Sequence, residues 1–320
     1  MARSPLTYVP MLDRALAAEA ARQNHVIWSG GRSLADHTAG TLRQLDEGGP
    51  EIVRYAGVID ARGRLVGALK RYALLLREGD SAPIRAVGIG AVFTKPSMRG
   101  RGVASTLLGH VMSEARDLGY EAATLYSDID PAFYERLGFV AVPARDFTIA
   151  TADLPARGAL EVRRAGPRDL PRLLAWYEAA WQKERPAFLR PARSAAIWRF
   201  FRWRGRLGGE WILRHRGRDA GYLMAGLDDP VRDLPEREDG LFWFDEAAAP
   251  GVPQDRIWAT VRMIAERARA AKVQGWISPA GMPEGAARIA RPESFPMIAP
   301  LSPALRVRTR RAWLDSFMHF

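Results

Sequence analysis

Arg99-Gly100-Arg101-Gly102-Val103-Ala104 is the segment of this chain best equipped for chemistry. A glycine-rich turn that opens a helix presents free backbone N–H groups, and the helix dipole favours negative charge at that end. Gly100 and Gly102 carry no Cβ to hold a ligand off the backbone, and Arg99 and Arg101 add charge-assisted donors for phosphate oxygens. Alone, the run is also compatible with a basic surface turn or a fragment of an arginine–glycine nucleic-acid segment. A second group follows downstream, Phe133-Tyr134-Glu135-Arg136-Leu137-Gly138-Phe139, in which Tyr134 offers a phenolic proton, with Asp128 and Asp130 just before it.

The flanking elements favour the phosphate reading. Ala86 to Phe93 reads as a strand leading into the turn. After it, Val103, Leu107, Leu108, Val111, Ala115 and Leu118 recur at helical spacing, with Gly119 as a stop signal. Ala122 to Tyr126 reads as the next strand. Asp130 and Pro131 then suit the N-cap and first position of a short helix that runs to Leu137 and is closed by Gly138.

On these residues the chain resembles the GNAT superfamily of acetyl-CoA-dependent N-acetyltransferases. The family pattern Gln/Arg-x-x-Gly-x-Gly/Ala is met by Arg99, Gly102 and Ala104, and its downstream aromatic segment by Phe133-Tyr134 and Gly138-Phe139. The resemblance implies an α/β (α+β) fold whose central mixed, mostly antiparallel sheet is flanked by helices. It implies acetyl-CoA as cosubstrate, its pyrophosphate on the amides of Gly100, Arg101, Gly102, Val103, Ala104 and Ser105 beside Arg99, and its pantetheine arm along Val92, Phe93 and Thr94. An amine would attack the thioester directly, with Tyr134 supplying a proton or hydrogen bond to the departing thiolate. With reference pKa values of ~10 for tyrosine and ~8.5 for a thiol, that transfer is uphill by about 2 kcal/mol. The alternative for Tyr134 is a packed aromatic in a short helix.

The sequence departs from the family at the base. Members often carry a glutamate on the central strand, whereas Ala86 to Phe93 contains no carboxylate, and Ser127 stands where many members have asparagine. Asp130 is accounted for as a helix cap, so the base stays open between water and a group outside the motif. One such group is the terminal carboxylate of Phe320, the kind of group that some two-domain relatives use; its apolar tail otherwise serves to cover core.

Length and composition bound the rest. A chain of 320 residues fits two domains, a catalytic GNAT domain at 1–155 and a degenerate GNAT-like domain at 156–320. The net charge of +11 is carried by arginine, since the lysines are Lys70, Lys95, Lys183 and Lys272. Coenzyme A accounts for part of that charge, and no nucleic-acid motif accompanies it, so nucleic acid is not an expected partner. There is no cysteine, which excludes disulfides, cysteine nucleophiles and thiolate metal sites. His25, His37, His110, His215 and His319 are scattered without metal-ligand spacing, so no metal is expected. No apolar run approaches the ~20 residues that cross a bilayer, and Asp13 and Glu19 interrupt the alanine-rich start, which argues against a signal peptide. A cytoplasmic protein is expected, without a membrane partner. Nothing in the spacing points to a particular oligomeric state.

Ahead of the motif, helices are expected around Met11–Arg22 and Leu34–Leu45, then a hairpin, Ile52–Ile59 and Leu65–Leu76, turning at Asp60 to Gly63. Pro143–Gly158 reads as a linker or outer strand. Beyond it come a strand at Glu161–Ala165, a helix opened by Pro167-Arg168-Asp169, strands at Glu210–His215, Ala220–Ala225 and Leu241–Phe244, and a helix at Gln254–Lys272. The step from Phe244 to that helix has no phosphate motif, and Asp245 and Glu246 would repel phosphate, hence the degenerate reading. Trp198 to Arg204 suits an amphipathic helix, with Ile197, Phe200 and Phe201 inward and Arg199, Arg202 and Arg206 outward. The alternative is a site for nucleic acid, or for a carboxylate with an apolar tail. Trp28-Ser29-Gly30-Gly31, Ser127-Asp128-Ile129 and Trp198 also resemble, more faintly, the fungal lysine N6-acetyltransferases. The expected function is acetyl transfer to a primary amine of a small molecule or an amino acid such as lysine. The alternatives are a protein lysine or N-terminal acetyltransferase and a non-catalytic acyl-CoA-binding sensor.

Overall fold

The structure, a computed structural model, describes residues 6–184, 188–203, 209–227, 241–276, 281–291, 294–305, 307 and 311–314. A short strand, Thr7–Val9 (β1), is followed by helices Arg14–Trp28 (α1) and Leu34–Gly48 (α2). Both helices are capped from their own sequence: Asp13 accepts from the Leu16 amide and Ser33 from the Asp36 amide. The hairpin follows as Val53–Ile59 (β2) and Leu65–Glu78 (β3). In its turn Asp60 Oδ1 accepts from the amides of Arg62 and Arg64, and Gly63 takes a φ of 72°. Then come Ile84–Thr94 (β4), Val103–Asp117 (α3), Ala122–Ser127 (β5), Ala132–Glu135 (α4) and Val140–Ala141 (β6).

The second part begins with Asp146–Ala150 (β7) and Glu161–Arg164 (β8), then Leu170–Glu184 (α5), Leu189–Pro191 (β9) and Ala195–Trp203 (α6). It continues with Glu210–His215 (β10), Arg218–Leu227 (β11), Leu241–Ala248 (β12), Gln254–Arg267 (α7), Lys272–Trp276 (β13), Ala287–Ile289 (β14) and Phe295–Pro300 (β15).

These strands form two mixed, mostly antiparallel sheets. The first runs β1-β2-β3-β4-β5-β15-β6, with β9 on the far end of β3; the second runs β14-β7-β13-β12-β11-β10-β8. Segments cross between them. β7, from before residue 155, lies inside the second sheet between β14 and β13, while β15, from near the end of the chain, fills the first sheet between β5 and β6. The α3 face made by Val103, Leu107, Leu108, Val111 and Ala115 is buried against β2, β4 and β5 in one core, each large side chain contributing about 1.5–3 kcal/mol. α7 covers the second sheet in another. A third core joins the halves: Val53, Tyr72 and Leu74 of the first sheet meet α5, α6 and Ile212 and Tyr222 of the second.

Several expectations are corrected here. Pro143–Gly158 is no linker but supplies an internal strand. The strand expected to end at Phe244 continues through Ala248, because Glu246 is neutralised by Arg193 and can be buried. The helix expected to reach Lys272 stops at Arg267, and Lys272 begins β13. Leu118 is 47% exposed, one residue past the end of α3. In α6, Ile197, Phe200 and Phe201 are buried as the amphipathic reading requires, and Trp198 joins them. The side chain of Arg202, and residues 204–208 with Arg206, lie outside the described residues, as does Phe320.

Candidate active site

β4 and β5 run parallel and pair only from Ala86↔Ala122 to Ile89↔Leu125. Beyond that point β4 continues to Thr94 alongside β3, but its pairing shifts between Lys70↔Gly90 and Ala68↔Phe93. The extra residues form a bulge, and Ala91 within it has a φ of 49°, a left-handed conformation that costs a non-glycine residue about 1 kcal/mol or more. The bulge bends β4 away from β5. Gly90 to Thr94 therefore face a gap rather than a neighbouring strand on the β5 side. Val92 and Thr94 are half-buried, Phe93 is buried, and Thr94 Oγ1 is buried without a hydrogen-bond partner. An orphaned hydroxyl on a splayed strand suits a polar extended ligand.

From Thr94 the chain makes one tight turn over Pro96–Met98 into Arg99-Gly100-Arg101-Gly102. Gly100 and Gly102 have φ values of 74° and 79°, and a Cβ at either would meet nothing within 4 Å. Glycine is required there by the backbone and not by crowding, so the turn stays open to a ligand. Gly102 caps α3 without any side-chain hydrogen bond, unlike Asp13 and Ser33 at the starts of α1 and α2. The first-turn amides of Val103, Ala104 and Ser105 thus keep their donors free of a capping side chain. Arg99 and Arg101 are exposed beside them.

Tyr134 lies on α4, buried in the core that also takes in Val103 and the half-buried Val92 and Met98. Tyr134 thus shares one core with side chains from the splayed strand and from the start of α3. Its ring is edge-on to Phe133 at 4.9 Å and to Phe139 at 6.0 Å between centroids, and its hydroxyl has no hydrogen-bond partner among the described residues. Burial, with a smaller contribution from the charge of Asp128, pushes its pKa up to about 12, so the phenol is protonated throughout the neutral range. Asp130 caps α4, its Oδ1 accepting from the Ala132 amide at 2.9 Å. Asp128 is exposed at the end of β5 and accepts a hydrogen bond from Ser294 Oγ at 2.9 Å. Ser127 turns inward onto the backbone of Ile129. His110 is exposed on α3, stacked on Tyr8.

Sequence reasoning missed Ala91 and Ser294. A bulge leaves no composition signal at an alanine, and Ser294 reaches the site across more than half of the chain.

Residues 30–142 match the family model of the acetyltransferase (GNAT) domain. This segment is a GNAT acetyltransferase domain. GNAT domains carry out N-acetyl transfer from an acyl-CoA cosubstrate, and the splayed β4–β5 gap and uncapped α3 sit inside the matched segment. Solved GNAT structures share the fold over nearly the whole chain. A GCN5-related N-acetyltransferase from Kribbella flavida aligns with a TM-score of 0.67 at 21% identity, over 92% of this chain and 71% of that one. A GCN5-related N-acetyltransferase from Anabaena variabilis gives 0.69 at 16%, over 93% and 73%. Eis1 from Mycobacterium abscessus gives 0.59 at 17%, over 93% and 74%. No curated protein is matched by the sequence.

The second sheet repeats the GNAT layout without its turn. β12 and β13 are parallel and pair from Leu241↔Lys272 to Phe244↔Gly275, and a pairing shift against β11 leaves Asp245 unmatched just beyond. At that position the first half has Ala91 and an open gap. Here Glu246 follows, buried, with both Arg193 terminal nitrogens on its oxygens at 2.6 and 2.7 Å and Tyr222 donating to it at 2.5 Å. α7 starts at Pro253 with Asp255 in its first turn. No described residue in the second sheet repeats the arginine–glycine turn. Among the described residues no helix is long and apolar enough to cross a membrane.

Proposed function

We propose that the chain transfers the acetyl group of acetyl-CoA to a primary amine of a small molecule or amino acid, with the work divided between residues 1–155, which hold the cosubstrate and the reacting groups, and 156–320, which shape the acceptor side. The observation that carries this reading is the juxtaposition of an uncapped helix start, opened by two left-handed glycines, with a strand that leaves its neighbour beside a buried tyrosine. The cosubstrate supplies the acetyl group and a thiol leaving group. The amides of Gly100 to Ser105, with Arg99 and Arg101, bind its pyrophosphate. Val92, Phe93 and Thr94 align its extended arm through their free edge.

Tyr134 donates from its hydroxyl to the departing sulfur. With its pKa at about 12, complete transfer to a thiolate of ~8.5 is uphill by about 5 kcal/mol, more than the reference values suggest. The phenol therefore acts chiefly as a hydrogen-bond donor to the developing charge, and solvent completes the protonation. A small acceptor is supported by the reach of the C-terminal half to the mouth of the gap through Ser294. The cytoplasm is the proposed setting, in keeping with a chain that has no cysteine to oxidise.

The test is thiol release from acetyl-CoA over a panel of small amines and lysine-containing peptides, alongside calorimetric titration of acetyl-CoA. Turnover with a small amine is expected. Binding without turnover on any acceptor would make the chain a sensor, and turnover confined to peptides would move the acceptor to protein.

A further inference from the structure

A lysine-type amine has a pKa near ~10.4, so only about one molecule in 2,500 is neutral at pH 7, and its nitrogen must lose a second proton as the amide forms. β4 has no acidic residue anywhere along Ile84–Thr94 to take it. Of the two carboxylates between the end of β5 and Tyr134, Asp130 gives one oxygen to the Ala132 amide at the start of α4. Asp128 remains.

Its placement is specific. β5 leaves β4 at Leu125, and Asp128 follows three residues later, just past the end of the strand. That is the mouth of the gap, on the segment that leads directly into α4. One carboxylate oxygen accepts from Ser294 Oγ at 2.9 Å, and the other has no partner among the described residues. Its charge adds to burial in keeping the Tyr134 hydroxyl protonated. Ser294 itself is held in a left-handed conformation, φ 58°, immediately before β15 begins at Phe295↔Ser127. A non-glycine residue held there stores about 1 kcal/mol or more of strain, and such strain gathers where a side chain must be aimed.

We infer that Asp128 is the catalytic carboxylate that takes the amine proton during transfer, and that Ser294, from the far end of the chain, positions it. The inference rests on the acetyl-transfer reading above. Timing follows from magnitudes. A free ammonium is a far weaker acid than a carboxylic acid, so that first proton goes to solvent and not to Asp128. Once the neutral nitrogen begins to bond to the thioester carbonyl carbon, its remaining protons become strongly acidic. One passes to the open oxygen of Asp128 as the carbon–nitrogen bond completes and the carbon–sulfur bond breaks; the sulfur leaves as a thiolate hydrogen-bonded by the Tyr134 hydroxyl and takes its proton from solvent. Asp128 then returns its proton to water.

The experiment measures kcat, KM and acetyl-CoA Kd for wild type, Asp128→Asn, Asp128→Ala, Ser294→Gly and Ser294→Asn with the best amine of the panel. Asp128→Asn is expected to lower kcat by ~10²–10⁴-fold while leaving acetyl-CoA Kd within twofold. Added formate is expected to restore part of the Asp128→Ala rate, a rescue that a purely structural aspartate would not show. Ser294→Gly tolerates the positive φ but loses the hydroxyl, so kcat should fall about tenfold with no loss of Tm. Ser294→Asn keeps a donor and the left-handed backbone and should recover most of that loss. A wild type that turns over while Asp128→Asn keeps kcat within twofold overturns the inference alone. A wild type that turns over no amine overturns both the inference and the function beneath it.

Discussion

The starts of α3 and α7 occupy matching places in two similar sheets, each after a strand that pairs in parallel for four residues and then bulges. In the first half the bulge carries Ala91, the gap beyond it is lined by backbone, and the helix opens on glycine with arginines beside it. In the second the bulge carries Asp245, the next residue is a buried glutamate clamped by Arg193 and Tyr222, and the helix opens on proline. On the proposed function, the same strand geometry serves as a cosubstrate cradle in one half; in the other it is a packed internal joint. A few side chains decide which. An anion site needs free amides and no competing carboxylate; a buried ion pair needs the opposite.

The sharpest way to break this contrast is to add a carboxylate to each helix start. Gly102→Asp is expected to abolish acetyl-CoA binding in calorimetry, because it places a negative side chain at the phosphate turn and strains a φ of 79°. Gly251→Asp, at the matching turn of the second half with a φ of 85°, should leave the affinity unchanged and cost only about 1 kcal/mol of stability. Equal losses of binding would remove the distinction between the halves.

Tyr134→Phe is expected to lower kcat by ~10²-fold or somewhat less, at the low end for an acid–base group because the hydroxyl acts mainly as a donor. Acetyl-CoA Kd should stay within twofold. A kcat within twofold of wild type, with chemistry limiting turnover, would return Tyr134 to packing.

Glu246→Ala tests the second half. It leaves Arg193 buried without its carboxylate, and urea unfolding should report a loss of about 3–5 kcal/mol. Calorimetry on the protein that remains folded should show near-native acetyl-CoA affinity.

The smallest effect is a pH response. Burial first, then the charges of Arg32, Lys70 and His25, lower the pKa of His37 to about 4. The unfolded chain binds its proton near ~6.5, so between those values the unfolded state holds more protons and stability falls as pH drops. Tm should decline from pH 6.5 to 4, and His37→Gln should flatten part of that slope. His215 of the second half is shifted in the same direction, first by desolvation and then by Arg256 and Arg216, but it is only half-buried, so His215→Gln should change the profile less.

The glycine turn and the helix it opens are legible in the sequence because their physics is local. Two glycines, two arginines and a periodic helix sit within a few residues, and Asp130 announces the short helix after it. What could not be read depended on distant partners. Glu246 reads in the sequence as a charge that would repel phosphate; its burial depends on Arg193, 53 residues away along the chain. Pro143–Gly158 carries a strand whose neighbours, β13 and β14, lie more than a hundred residues on. Ser294 gives no local hint of its bond to Asp128. Trp198 falls on the expected amphipathic helix without a side assigned to it, and its burial in the joint core follows from packing against Tyr222.

The strand Phe295–Pro300 sits between β5 and β6 of the first sheet, register-matched to Ala122–Ser127 along its whole length. During synthesis the first half emerges long before that strand does, and at roughly 5–20 residues per second the wait is tens of seconds at the slower rates. Through that interval β5 has an open edge, a template for wrong pairing. Closure of the first sheet therefore waits on a strand made more than 160 residues after β5.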